Sequence, residues 1–153
     1  MLIHELYHPD PVTIREDVSI RDALSTIIHR KINGLVVIDK DSKVVGVLAI
    51  QDIAGATIPR QFKNNVQMAS AMYRRGFFTE SCEAIENDPV SKHMRRDFVT
   101  VGLHDNIMAV TADFLKNDLY IVPVIEKNKL VGIITRSEIK KALAYGMRLK
   151  GYF

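Results

Sequence analysis

Apolar residues in this chain keep to two spacings, and the two alternate. Ile20, Ala23, Leu24, Ile27 and Ile28 fall at i, i+3, i+4, i+7 and i+8, which is one face of an α-helix. Ser19, with Asp22 three residues on, is an acidic form of the N-cap signal that starts such a helix. Upstream, residues 12–14 read as a brief strand. Downstream, residues 35–38 and 44–50 are β-branched runs separated by the polar stretch 39–43, which predicts a hairpin. A closing helix is expected from about Gln51, cut short by Gly55 and Pro59.

The same order returns later in the chain. A shift of 87 positions lays Asp10-Pro11-Val12-Thr13-Ile14 on Asp97-Phe98-Val99-Thr100-Val101, and Val37-Ile38-Asp39-Lys40 on Val124-Ile125-Glu126-Lys127. With a shift of 86, Lys43-Val44-Val45-Gly46-Val47-Leu48 overlays Lys129-Leu130-Val131-Gly132-Ile133-Ile134, and Asp52-Ile53 overlays Glu138-Ile139. One residue lost at the hairpin tip, where length change is tolerated, accounts for the difference. The second helix is expected behind Asn106 as cap, with Ile107, Val110, Thr111, Phe114 and Leu115 inward. A second closing helix is expected from about Ser137.

The chain is therefore read as an α/β protein of two β-α-β-β-α repeats, residues 1–58 and 90–145, followed by a tail, 146–153. Residues 59–89 have no counterpart elsewhere. Val66, Ala69, Met72 and Tyr73 recur there at helical spacing, Gly76 suits a helix end, and a second short helix is expected from near Thr79 to before Pro89. Met68, Met72, Tyr73, Phe77 and Phe78 are expected to pack on the body. The alternative is that this helical insertion is a partner-binding surface.

Composition narrows the class. At 153 residues, 47% hydrophobic and 25% charged, the chain can build a core of its own. Its longest apolar run, residues 44–50, is far short of the ~18 residues that span a bilayer, so no membrane role is expected. The first residues lack the basic start and apolar stretch of a signal peptide, and Cys82 stands alone, so a cytoplasmic location is expected. The net charge of +3 comes as scattered pairs such as Arg30-Lys31 and Arg95-Arg96, without the basic stripe that nucleic-acid binding needs.

Thr135 ends a buried strand and Ser137 opens a helix, so two hydroxyls and the positive end of a helix dipole face one spot, a place for phosphate. The carboxylate of Glu138 suits a vicinal diol such as a ribose. Catalytic chemistry has no support: no nucleophile with a base, no paired carboxylates and no Gly-rich phosphate loop is apparent. His4 and His8 are four apart but Pro9 and the lack of a third ligand make them surface histidines, and no metal is expected. Cys82 lies between Ser81 and Glu83, an acidic setting that argues against a nucleophile.

Two copies of strand, helix, hairpin and helix, with Val90-Ser91-Lys92-His93-Met94 before the second, Val122-Pro123-Val124-Ile125 within it and Gly132-Ile133-Ile134-Thr135-Arg136-Ser137-Glu138-Ile139 after it, resemble the CBS domain pair, or Bateman module. The resemblance implies pseudo-twofold symmetry and clefts between the copies that bind AMP, ADP, ATP or S-adenosylmethionine. It also implies a homodimer of modules and a regulatory output to a protein partner, with no obligatory cofactor. Cleft one would take Ile133, Thr135, Ser137 and Glu138 with Asp10, Val12, Asn33 and Gly34. Cleft two would take Val47 and Asp52 with Val99, Tyr120 and Ile121. Two positions depart from the family pattern: Glu138 stands where aspartate is usual, and Ala49 where threonine or serine is usual. Cleft two is accordingly expected to hold phosphate less well. The leading expectation is a stand-alone, non-enzymatic sensor of an adenine nucleotide. The second is a structural or interaction module with empty clefts that works through its insertion.

Overall fold

The structure, a computed structural model, describes residues 1–62, 64–71 and 76–151. In the first repeat, β1 (Thr13–Arg15) is followed by α1 (Ile20–Arg30), the hairpin β2 (Gly34–Ile38) and β3 (Val44–Ala49), and α2 (Ile50–Ala56). The insertion contributes α3 (Val66–Ala71) and α4 (Phe77–Glu83), and α5 (Val90–His93) leads into the second repeat. There, α6 (Ile107–Asn117) precedes the hairpin β4 (Ile121–Glu126) and β5 (Lys129–Thr135), closed by α7 (Arg136–Gly146).

The capping residues expected from sequence act as caps. Ser19 Oγ accepts from Asp22 N at 3.1 Å, and Asn106 Oδ1 from Met108 N at 2.8 Å. Both helices end one residue later in a left-handed turn, at Lys31 and Asp118. Closing helix α7 starts one residue before the expected position because Thr135, not Ser137, caps it. The expected second copy of β1 is reduced to a bridge: Val101 N donates to Pro123 O and accepts through its carbonyl from Ile125 N.

β1 runs parallel to β2, and β2 antiparallel to β3. β4 and β5 form the second hairpin in the same antiparallel register, each hairpin with one irregularity near its tip. The two hairpins face one another through Val36, Val47, Ile121 and Ile133, all buried. Their other faces carry the helices: Leu35, Val37 and Leu48 pack on α1 and α2, while Val122, Val124 and Ile134 pack on α6 and α7. Alternation along the strands, interrupted only at the irregularity near each hairpin tip, makes this possible, since successive side chains serve the central and the outer layer in turn.

The repeats exchange their leading segments. Ile3 and Leu6, at the start of the first repeat, are buried in the core of the second, and Val90 and Met94, at the start of the second, are buried in the core of the first. His8 pairs with Ile133 of β5 through two backbone hydrogen bonds of 2.9 Å, and Arg95 pairs with Val47 of β3 in the same way. Glycine makes both approaches possible. A Cβ on Gly46 would lie 2.7 Å from Arg95 O, and one on Gly132 would collide with His8 O and the Tyr7 ring.

Two packing expectations are corrected. Ile28 and Leu115, placed on the inner helix faces by periodicity, are 64% and 82% exposed, because each lies at the edge of its apolar stripe one turn from the helix end. Met68 and Phe78 of the insertion are also exposed, at 47% and 74%, rather than packed on the body. Met72 and Tyr73 lie outside the described residues. Gly76 stands at the N-terminus of α4, in the left-handed region with φ +83°, and residues 72–75, through which a preceding helix was expected to reach it, lie outside the described residues.

Candidate functional site

A cavity of about 390 Å³ opens where the start of β2, the start of β4 and the β5–α7 junction meet. Seven of the eight residues expected in cleft one line it: Asp10, Val12, Asn33, Gly34, Ile133, Thr135 and Ser137. Each arrives by a different route. Asp10 and Val12 follow the segment pinned on β5 by His8, and Asn33 and Gly34 follow the left-handed turn at Lys31 that ends α1. Thr135 and Ser137 come from the strand end and first turn of α7.

Tyr120 and Ile121, expected in cleft two, line this same cavity. The reason is the pseudo-twofold axis: the starts of β2 and β4 are neighbours across it, and a Cβ on Gly34 would lie 3.6 Å from Ile121 Cγ2. Asn33 and Gly34 are the counterparts of Tyr120 and Ile121 in the 87-residue shift. The small glycine therefore leaves room that its isoleucine counterpart fills.

Glu138 is corrected in its role. Expected to face a ribose, it is buried to 4% exposure, and its Oε2 accepts from Thr135 N at 2.8 Å and from Thr135 Oγ1 at 2.6 Å. Thr135 Oγ1 in turn accepts from Ser137 N at 3.2 Å. Glutamate at the third helical position has the reach to close such a capping box, so its carboxylate turns into the helix end and away from the cavity.

Sequence reasoning missed His8, Lys31, Ile32, Ile50 and Arg136 as lining residues. The Arg136 guanidinium lies 4.3 Å from the centre of the Tyr120 ring, a cation–π contact that holds a flexible side chain at the wall. Lys31 and Arg136 face a single lining carboxylate, Asp10, and the His8 ring lines the cavity beside them. With the positive end of the eleven-residue α7 also at the wall, the cavity favours an anion. The signal for Arg136 was its place between Thr135 and Ser137; the others come together only through the fold.

On the cleft-two side, Val47 and Asp52 are both engaged by Arg95. Arg95 pairs with Val47 along the backbone, and its Nε lies 3.5 Å from Asp52 Oδ1. Asp52 Oδ2 also accepts from Ala49 N at 2.8 Å. Val99 packs against the core of the second repeat. Gln51, the counterpart of Ser137, has both amide atoms buried without a hydrogen-bond partner.

Two sheet-and-helix repeats with exchanged leaders and a polar cleft between them define a tandem ligand-binding module. The family model for the CBS domain matches residues 3–58 and 90–145, and the chain belongs to that family. Among solved structures it is similar to the CBS-domain containing protein ATU1752 of Agrobacterium tumefaciens, with a TM-score of 0.74 at 24% identity over 93% of this chain and 92% of that one. The CBS domain pair of MJ0100, solved in complex with 5′-methylthioadenosine and S-adenosyl-L-methionine, gives a TM-score of 0.71 at 22% identity, covering 95% and 98% of the two chains. At these identities the likeness is one of fold. The transcriptional repressor CcpN of Bacillus subtilis is 26% identical over 87% of this chain and 55% of its own length. The chain spans about half or less of the length of several curated relatives that it matches. Among the described residues no helix is long and apolar enough to cross a membrane, and no group of three or more His, Cys, Asp or Glu is placed to hold a metal ion.

Proposed function

We propose that this CBS pair is a cytoplasmic regulatory module that binds one adenosine-containing ligand carrying phosphate, in the cavity between β2, β4 and α7, and transmits its occupancy to a protein partner as a homodimer without catalysing a reaction. The observation that carries this reading is the charge of the cavity: Lys31, Arg136 and the start of α7 against Asp10 alone. An adenosine ligand is supported by the complex of the MJ0100 pair. AMP, ADP and ATP bring negative charge to a site rich in cations, whereas the sulfonium of S-adenosylmethionine brings the opposite sign. Asp10 is the lining carboxylate that can accept from a ribose, since Glu138 is taken up by Thr135.

Calorimetric titration with AMP, ADP, ATP and S-adenosylmethionine tests the reading. One site per chain is expected, filled by a phosphate-bearing nucleotide. Arg136→Ala should weaken it about tenfold or more, the value of one hydrogen bond to a charged group, while Asp52→Ala should leave it unchanged. Tighter binding of S-adenosylmethionine than of any nucleotide would overturn the anionic preference.

A further inference from the structure

A second cavity, of about 1030 Å³, opens at the far end of the central layer, between the two hairpin tips. β2 starts at cleft one with Gly34 and ends here with Ile38, and β4 runs likewise from Ile121 to Ile125. The two cavities share strands but no lining residue.

The lining of this cavity comes in matched pairs. Thr13 and Thr100 are counterparts in the 87-residue shift, as are Ile38 and Ile125, while Lys43 and Lys129 are counterparts in the shift of 86. The cavity therefore straddles the pseudo-twofold axis, which sets one lysine and one threonine from each repeat about it. Val44, its counterpart Leu130, and Phe98 are partly buried, packed on one side against the central cluster of Val36, Val47, Ile121 and Ile133. Their other side lines the cavity and gives it an apolar floor.

Lys43 and Lys129 are exposed, and neither has an ion-pair partner among the described residues. Asp41 is the single lining carboxylate. Asp39 is held within the tip, where its Oδ1 accepts from Asp41 N at 2.8 Å and from Lys43 N at 2.9 Å. No helix begins at this wall, so a phosphate finds none of the backbone donors and dipole that Thr135 and Ser137 bring to cleft one. What remains is two ammonium groups and two hydroxyls beside apolar surface, a donor set that suits carboxylates.

We propose that this cavity is a second ligand site, which takes a dicarboxylate with an apolar middle. Each carboxylate meets the lysine of one repeat, with the threonine hydroxyl of that repeat as a further donor, and the carbon chain lies over Val44, Leu130 and Phe98. The pseudo-twofold pairing of the cations is matched by a ligand with two like ends; a single carboxylate leaves one lysine unmatched.

Calorimetric titration with suberate, which has eight carbons and two carboxylates, tests the proposal against octanoate, which has eight carbons and one. One suberate per chain is expected, with octanoate about tenfold weaker, the value of one hydrogen bond to a charged group. Octanoate is the more apolar of the two, so octanoate binding as tightly as suberate would show that the floor alone binds, and overturns the proposal. Lys43→Ala and Lys129→Ala should each weaken suberate about tenfold and octanoate only about twofold, since octanoate can use the remaining lysine. Both lysines are exposed at hairpin tips, and circular dichroism checks that the variants are folded. Suberate binding unchanged by either substitution overturns the proposal, as does no binding at about 10 mM. Amide shifts in labelled protein locate the ligand. Changes centred on Thr13, Lys43, Thr100 and Lys129 are expected, whereas changes centred on Asn33 and Thr135 would put suberate in cleft one and overturn the second site. Nucleotide binding in cleft one is independent of either result.

Discussion

The two repeats share a backbone plan and differ in what stands at matching positions. At the junction of last strand and last helix, the second repeat has Thr135, Arg136, Ser137 and Glu138, and the first has Ala49, Ile50, Gln51 and Asp52. Both acidic residues accept from the backbone N–H three residues earlier, at 2.8 Å in each case. The box is the common device; the hydroxyls and the cation belong to one copy only. The segment that crosses from the other repeat brings His8 to the second junction and Arg95 to the first, where Arg95 binds Asp52. A duplicated fold can therefore keep its architecture in both halves while one cleft is lined by Lys31 and Arg136 and the other pairs its Asp52 with Arg95.

The exchanged leaders give the largest expected effect. Gly132→Ala should destabilise the protein by about 3 kcal/mol, because the new methyl meets a backbone carbonyl and an aromatic ring. Gly46→Ala should cost less, about 1 to 2 kcal/mol, because one of its two close neighbours is the flexible Met94 thioether, 2.8 Å away. Chemical denaturation measures both, and equal losses would break the comparison.

Removing the boxes comes next. Glu138→Ala leaves the Thr135 N–H and hydroxyl without their acceptor in a nearly dry site and should cost about 2 kcal/mol. Asp52→Ala removes one backbone acceptor and a partly exposed ion pair with Arg95 that is worth little, and should cost about 1 kcal/mol. The order of the two losses is the measured quantity. Gln51→Leu sharpens the same comparison in the other direction. Its buried amide has no partner, so an apolar side chain of similar size should be neutral or stabilising by up to about 1 kcal/mol in thermal unfolding.

The smallest effect concerns the joint between insertion and first repeat. Asp88 O accepts from Ile20 N at 2.9 Å, and the Asp88 carboxylate accepts from His93 Nε2 at 2.8 Å. The His93 imidazole, helped by Lys92, holds the Asp88 carboxyl below its ordinary value. A carboxyl with a lowered folded pKa adds stability that is fully present above its unfolded pKa, about 3.9, and lost as pH falls through the folded value. Wild type should therefore lose slightly more stability than Asp88→Asn between pH 5 and pH 2, with the two curves parallel at neutral pH.

The sequence by itself determined the repeat, the order of elements, the caps at Ser19 and Asn106 and the polar junction at Thr135 and Ser137. These are legible because each is written in spacing along a few consecutive residues. The tertiary structure decided what no local spacing encodes. It placed Tyr120 and Ile121 in the cleft with Asn33 and Gly34, because a pseudo-twofold axis makes neighbours of strands far apart in the chain. It turned Glu138 inward, because a glutamate three residues after Thr135 can close its own helix. It brought His8 to the cavity lined by Lys31 and Arg136, and Arg95 to Asp52, because each repeat receives its leading segment from the other. Charge at a cleft is a sum over segments that meet only on folding, so the charge of this cavity is fixed by packing even though the chemistry of each residue is fixed by the sequence.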